Sequence, residues 1–201
     1  MRRLPRFGRG RLLLILAALA AVGAAFVVVM NPVGVPASGA ANLGGTVNTK
    51  WGKLSTLDRQ LLVKVRQADL WEIPAGQQAQ QRASAPRVRE VADIIWQQHM
   101  QLDTDVRAVA QKLGVLLPNE PNGSQKSWLR EMSGKFGSDF DKTFVLRLRA
   151  AHGQVFAIIA KVRAASENSE IRAFAERAMK FVNTHMSLLE STGLVPRRAL
   201  H

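Results

Sequence analysis

The stretch PRVREVADIIWQQHMQLDTDVRAVAQKL, residues 86–113, decides the fold. Val88, Ala92, Ile95, His99, Leu102, Val106, Val109 and Leu113 recur along it at alternating steps of four and three. That spacing lays one apolar stripe down an α-helix. Ser84 is positioned as its cap, Pro86 suits a first turn, and Gly114 stops it. His99 sits near the centre of the stripe, where leucine would be the ordinary residue.

Three more segments repeat the pattern. A helix over about 55–82 has the stripe Leu61, Val65, Ala68, Glu72, Ala75, Ala79. Ser55 or Thr56 can cap it, Asp58 lies in its first turn, and Pro74 predicts a kink beside Glu72. A helix over about 139–165, capped by Ser138, carries Val145, Leu148, His152, Val155, Ile159 and Val162. One over about 168–191 carries Ile171, Phe174, Ala178, Phe181, His185 and Leu188, and ends before Gly193 and Pro196. Residues 114–137 are broken by Pro118, Pro121 and Asn122-Gly123. They hold a short helix from Ser124, bearing Trp128, Leu129 and Met132, that is expected to cover one end. No segment shows sustained strand alternation. The fold class is therefore all-α: an antiparallel four-helix bundle over residues 54–193, with short first and last turns and a longer crossover.

The N-terminus reads differently. Residues 1–11 contain five arginines and no acid, and residues 12–30 (LLLILAALAAVGAAFVVVM) contain no polar side chain. A basic start before an apolar run is an export signal. Nineteen apolar residues at about 1.5 Å each are long enough to span a bilayer. Small residues around Pro36-Ala37-Ser38-Gly39-Ala40-Ala41 also suit signal cleavage. Residues 1–30 are thus a signal peptide or a transmembrane anchor, 31–53 a flexible linker and 194–201 a basic tail. The domain is expected outside the cytoplasm, either anchored through residues 12–30 or secreted. Trp51, in the linker beside Lys50 and Lys53, is a candidate for the membrane interface. The net charge of +13 favours anionic lipid headgroups or acidic envelope polymers as partners. Nucleic acid ranks below these, since no basic-aromatic stripe is present. The chain has no cysteine, which excludes disulfides, thiol nucleophiles and cysteine metal sites.

His99, His152, His185 and Glu72 each fall on the stripe of a different helix, at comparable depth from the short turns. Two readings compete. One is a metal site: three imidazoles and a carboxylate suit a single zinc, iron, manganese or copper ion. The other is a buried hydrogen-bond network with no ion, and the sequence alone favours it. A ferritin-type di-iron centre is disfavoured. It needs two Glu-x-x-His pairs, and Trp96, Arg149 and Val182 stand three residues before the histidines. Asp103 and Asp69 could orient the site but read first as solvated helix residues. Asp141 reads as a charge favoured at a helix N-terminus. Trp71, Trp96 and Trp128 read as packing, and His201 as part of the tail. No nucleophile elbow, phosphate loop or His-Glu-x-x-His motif is present.

Glu72, Gly76, Ala79, Ala83, Pro86, Val88 and His99, then Phe140-Asp141, His152 and His185, resemble an uncharacterised bacterial family. It is known as domain of unknown function 4142, and the likeness covers about residues 57–192. Gln98 stands where that family often has an acid, Phe144 where it often has tyrosine, and Lys180 where a Leu-Pro pair precedes the last histidine. Pro74 is also unusual for it. The resemblance implies a ferritin-like exported helical bundle and no activity. The expected function is accordingly a cell-envelope protein that binds or scaffolds rather than turns over a substrate. The alternatives are a mononuclear metal-binding protein and a binder of anionic envelope polymers or lipid headgroups.

Overall fold

The apolar stripes become helices, and each begins where its local chemistry can satisfy the first free N–H groups. The computed structural model describes residues 44–196. The signal or anchor over 1–30, the linker up to residue 43 and the tail from Arg197 to His201 lie outside the described residues. Helix α1 (Thr56–Arg82) starts at Ser55 in a capping box: the Ser55 side chain accepts from the Asp58 N–H, and Asp58 accepts from the Ser55 N–H. It runs through Pro74 as one helix. Helix α2 (Pro86–Leu113) ends at Gly114, whose φ of +66° is the left-handed closure glycine allows. Helix α3 (Gly123–Ser133) starts at Asn122, in a second capping box with Gln125. Helix α4 (Gly137–Ala165) and helix α5 (Ser169–Glu190) follow. The Asn168 side chain caps α5 by accepting from Glu170 and Ile171 N–H.

Two expected caps differ. Ala85, not Ser84, is the N-cap of α2, and Phe136, not Ser138, that of α4, both without a side-chain cap bond. Ser84 is engaged elsewhere. The Asp141 carboxylate, in the first turns of α4, accepts from the Ser84 N–H (3.1 Å), the Ser84 hydroxyl (2.6 Å) and the Ala85 N–H (3.0 Å). Asp141 is therefore a tie that holds the α1–α2 turn from a neighbouring helix, beyond the local dipole role read from sequence.

Residues at the end of the expected linker are ordered. Strands β1 (Val47–Thr49) and β2 (Gly52–Leu54) form an antiparallel hairpin, Val47 opposite Leu54. Three-residue strands are too short for alternation to show. The hairpin docks on the α4–α5 connection. The Ser169 N–H donates to the Trp51 carbonyl (2.8 Å), and the Asn168 amide donates to Thr49 Oγ1 and the Gly52 carbonyl. Gly52, at φ +105°, lies so close to the Glu167 carbonyl that any Cβ would overlap it. The Trp51 ring lies beneath the ammonium groups of Lys50 and Lys112.

Helix α1 packs on α2 and α4, and α5 packs on α4 and α2. Helix α3, expected over one end, lies instead against α1 and α4. The apolar core falls into two clusters. One, nearer the hairpin, gathers Leu54, Leu61, Val65, Leu102, Val106, Ile159 and Phe174. The other gathers Trp71, Ala75, Ile95, Phe140, Phe144, Leu148 and Leu189. Helices α1 and α5 pass from the first cluster to the second, and α2 and α4 pass back, so packed neighbours run in opposite directions. Between the clusters each of the four long helices contributes a polar residue. Among the described residues, no helix is long and apolar enough to cross a membrane.

The closest helix approach depends on Gly76. A Cβ there would stand 2.5 Å from Trp96 Cβ, the rigid root of that side chain, and 3.1 Å from the Ala92 carbonyl oxygen. Alanine is worth about 1 kcal/mol over glycine in a helix interior. Overpacking costs typically about 1–3 kcal/mol, and here no flexible group can yield. Gly76→Ala should therefore lower unfolding stability in a denaturant titration; a stabilised variant would contradict this packing.

Candidate functional site

Glu72, His99, His152 and His185 meet in the polar layer between the two clusters, each no more than 2 % exposed. The stripe dictates this, since a residue in register with buried leucines and valines is carried inward with them. One ring nitrogen from each histidine lies within 4.8 Å of one from each of the others. His152 Nε2 is 2.9 Å from His185 Nδ1. Glu72 Oε2 is 3.1 Å from His99 Nε2 and 3.5 Å from His152 Nε2.

The other nitrogen of each ring faces an acceptor. His99 Nδ1 donates to Asp69 Oδ1 (2.8 Å), His152 Nδ1 to the Leu148 carbonyl (2.8 Å) and His185 Nε2 to Gln98 Oε1 (2.8 Å). An acceptor on one nitrogen fixes the tautomer and leaves a lone pair on the other. His99 Nε2, His152 Nε2 and His185 Nδ1 are the nitrogens turned toward one another and toward Glu72, with a lone pair on each ring that is neutral. Two neutral rings in these tautomers cannot hydrogen-bond across the 2.9 Å between His152 and His185. Glu72 Oε2 and His99 Nε2 form a buried ion pair at 3.1 Å, with the proton on His99; neither atom has a hydrogen-bond partner outside the layer.

Charge sharpens the picture. Burial pushes the Asp69 carboxyl up to about 7, against the lowering pull of its bond to His99. Burial would raise Glu72 too, but the neighbouring His152 and His99 outweigh it and hold Glu72 below the usual carboxylate range. For His99, burial acts downward and is overcome by the Glu72 charge and by hydrogen bonds to Asp69 and Glu72, which push the imidazole up to about 10. His152 is lowered, chiefly by burial, despite Glu72. His185 is lowered by burial and then by His152 and His99. The layer thus attracts positive charge at the His99–Glu72 contact and keeps the other two rings neutral.

Of the residues weighed from sequence, these four come together and Asp103 stays away. It forms ion pairs with Arg66 and with Arg107 (2.8 Å), while Arg66 also donates to the Pro118 carbonyl. Asp69, read as a surface residue, is fully buried against His99. Its spacing three residues before Glu72 puts both carboxylates on one helix face, and that was the available signal. Gln98 was noted only as a departure from a family pattern; its amide oxygen is the acceptor for His185. The Leu148 carbonyl carries no sequence signal. Trp96 packs beside Gly76 and donates to Asp93 (3.0 Å). Trp71 and Trp128 meet edge to face at 5.2 Å.

A family model, Domain of unknown function (DUF4142), matches residues 46–191. The chain belongs to this family. The matched span runs from the hairpin to the end of α5 and includes every residue of the polar layer. No curated protein and no solved structure matches the chain.

The neutral rings make the layer acid-sensitive. An unfolded histidine takes a proton near pH 6.5, whereas folded His185 resists it. Its contribution to stability is therefore present above about pH 6.5 and lost as pH falls. Asp69, raised by burial, works in the opposite sense between about pH 4 and 7, so a variant comparison isolates the histidine. Relative to His185→Asn, the metal-free wild type should lose stability below pH 6.5, approaching about 1.4 kcal/mol per pH unit. Parallel stability curves for the two proteins would contradict the neutral, buried ring.

Proposed function

We propose that this protein binds a single divalent transition metal through His99, His152, His185 and Glu72. The observation that carries the reading is the set of three imidazoles, each with its far nitrogen on an acceptor, whose near nitrogens crowd one buried space with a carboxylate. Metal-bound histidines are oriented in this way by carboxylates, carbonyls or amides behind them. Ligands about 2.0–2.1 Å from a tetrahedral ion stand about 3.3 Å apart; the separations of 2.9, 3.1 and 3.5 Å bracket that value. A three-nitrogen, one-oxygen set suits zinc best, with iron, manganese and copper as the other metals such donors take. One inward carboxylate ligand and no Glu-x-x-His pair argue against a di-iron centre.

The network reading, favoured by sequence alone, answers the His99–Glu72 contact with a proton instead of a metal ion. Turning the Gln98 amide would let His185 donate to His152. Protonated His99 donates to Asp69 and Glu72 in that reading. A metal ion in place of the inner proton would draw on His99, Glu72 and the lone pairs of the other two rings together.

The packing of α1, α2, α4 and α5 supports an antiparallel four-helix bundle of ferritin-like type as the scaffold, with the ion at mid-height. The basic and then apolar residues 1–30 support an exported domain, anchored or released, that handles its metal in the cell envelope. The reading is of binding rather than turnover.

Elemental analysis of the purified full chain tests the metal reading. About one metal ion per chain is expected, and none in a His99→Ala/His152→Ala/His185→Ala variant. A wild type that is metal-free and takes up no added zinc, iron, manganese or copper would sink the reading. Asp69→Asn should keep the four ligands but weaken metal affinity roughly 10–100-fold, measured by competition with a chelator. Unchanged affinity would remove Asp69 from the site.

A further inference from the structure

Three of the four inward ligands are held from behind. His99 rests on Asp69, His152 on the Leu148 carbonyl and His185 on Gln98. Glu72 has no such anchor among the described residues. Its contacts are the inward ones, with Oε2 at 3.1 Å from His99 and 3.5 Å from His152. A ring pinned at its far nitrogen keeps one orientation, whereas a glutamate side chain has several rotatable bonds. Glu72 can therefore leave the set without breaking a hydrogen bond outside the layer.

Space for that movement lies beside it. A cavity of about 120 Å³ opens between α1, α3 and α4, and Glu72 forms part of its wall, whereas the three histidines do not. One water needs roughly 10–15 Å³ of such space, so a turned-out carboxylate and several waters fit. Of the two Glu72 oxygens, Oε2 is fully shielded, while Oε1, also without a hydrogen bond, is not. Lys64, Ala68 and Glu72 follow one another along the wall at steps of four, one face of α1. Along that face the burial runs from exposed Lys64 through half-buried Ala68 to buried Glu72. Exposed Gln154 of α4 is also in the lining, so the cavity connects the surface with the polar layer.

We propose that Glu72 is the gate of the centre and that this cavity is the route by which a divalent metal ion enters and leaves. The Glu72 carboxylate turns out into the cavity, meets the hydrated cation there, and carries it back to the three fixed imidazoles. Release is the same movement reversed. The Lys64 ammonium stands at the outer end of the route, where it repels an arriving cation and slows uptake. This inference rests on the metal reading and adds to it which ligand moves and from which side the ion comes.

Stopped-flow kinetics on the full chain test the proposal, with zinc alone as the probe. Uptake is followed with a zinc indicator, release with an excess of chelator, and affinity separately by chelator competition. Ala68→Leu, which fills the cavity and leaves the four ligands in place, should slow uptake and release alike, each at least about tenfold, with affinity kept within about threefold. A damaged binding site behaves otherwise, since lost affinity shows mainly as faster release. Lys64→Glu should speed uptake about threefold or more at low ionic strength, an advantage that salt removes. Lys180→Glu, the same charge change on exposed α5, should have the smaller effect. Circular dichroism checks folding, and exposed Lys64 keeps the test decisive if Ala68→Leu does not fold. A folded Ala68→Leu protein with wild-type rates, one that loses affinity through faster release, or a Lys180→Glu effect equal to that of Lys64→Glu would each overturn the gate while the metal reading stands. A wild type that takes up no zinc, iron, manganese or copper overturns both.

Discussion

Five ionisable side chains, Asp69, Glu72, His99, His152 and His185, are shut away from water in one layer, and the rest of the domain is arranged around that cost. Buried charge is tolerated only when paired. The outer ring of acceptors, Asp69, the Leu148 carbonyl and Gln98, settles the far side of each imidazole. On the near side the His99–Glu72 ion pair meets the lone pairs of His152 and His185. The two apolar clusters above and below then act as walls. They lower the local dielectric and so strengthen every electrostatic contact inside.

The scaffold is built to keep that layer in register. A one-turn slip of any long helix would replace its polar residue with an apolar one. Gly76 lets α1 approach α2 closely enough for Glu72 and Asp69 to reach His99. Asp141 ties the turn between those helices from α4, the helix that carries His152. The hairpin fastens the other end by bonding to the start of α5, the helix that carries His185. These three devices fix the relative height of all four helices, which is what a centre assembled from one residue per helix requires.

Much of this was legible in the chain. The 4-3 spacing through residues 86–113 located α2 to the residue, and the same reading placed His99, His152, His185 and Glu72 inside, because a stripe position determines burial. What escaped had no periodic signal. The hairpin strands are too short to alternate, and its order comes from Gly52 and Trp51 meeting a distant turn. Ser84 has the side chain of a cap, yet Asp141, distant in sequence, captures it. Asp69 lay on the right face but beside the stripe, where exposure and burial are equally compatible with helical spacing. Which ring nitrogen faces inward, on which both the network and the metal reading depend, is a rotamer and tautomer property that spacing does not carry.

The proposed ion would be held by three imidazole nitrogens and one carboxylate oxygen. X-ray absorption at the metal edge of the zinc-loaded full chain measures this directly. It should give four ligands at about 2.0–2.1 Å, with the multiple scattering of three imidazole rings. A sphere of oxygen ligands without imidazole scattering, or one unchanged in the triple alanine variant of His99, His152 and His185, would contradict it.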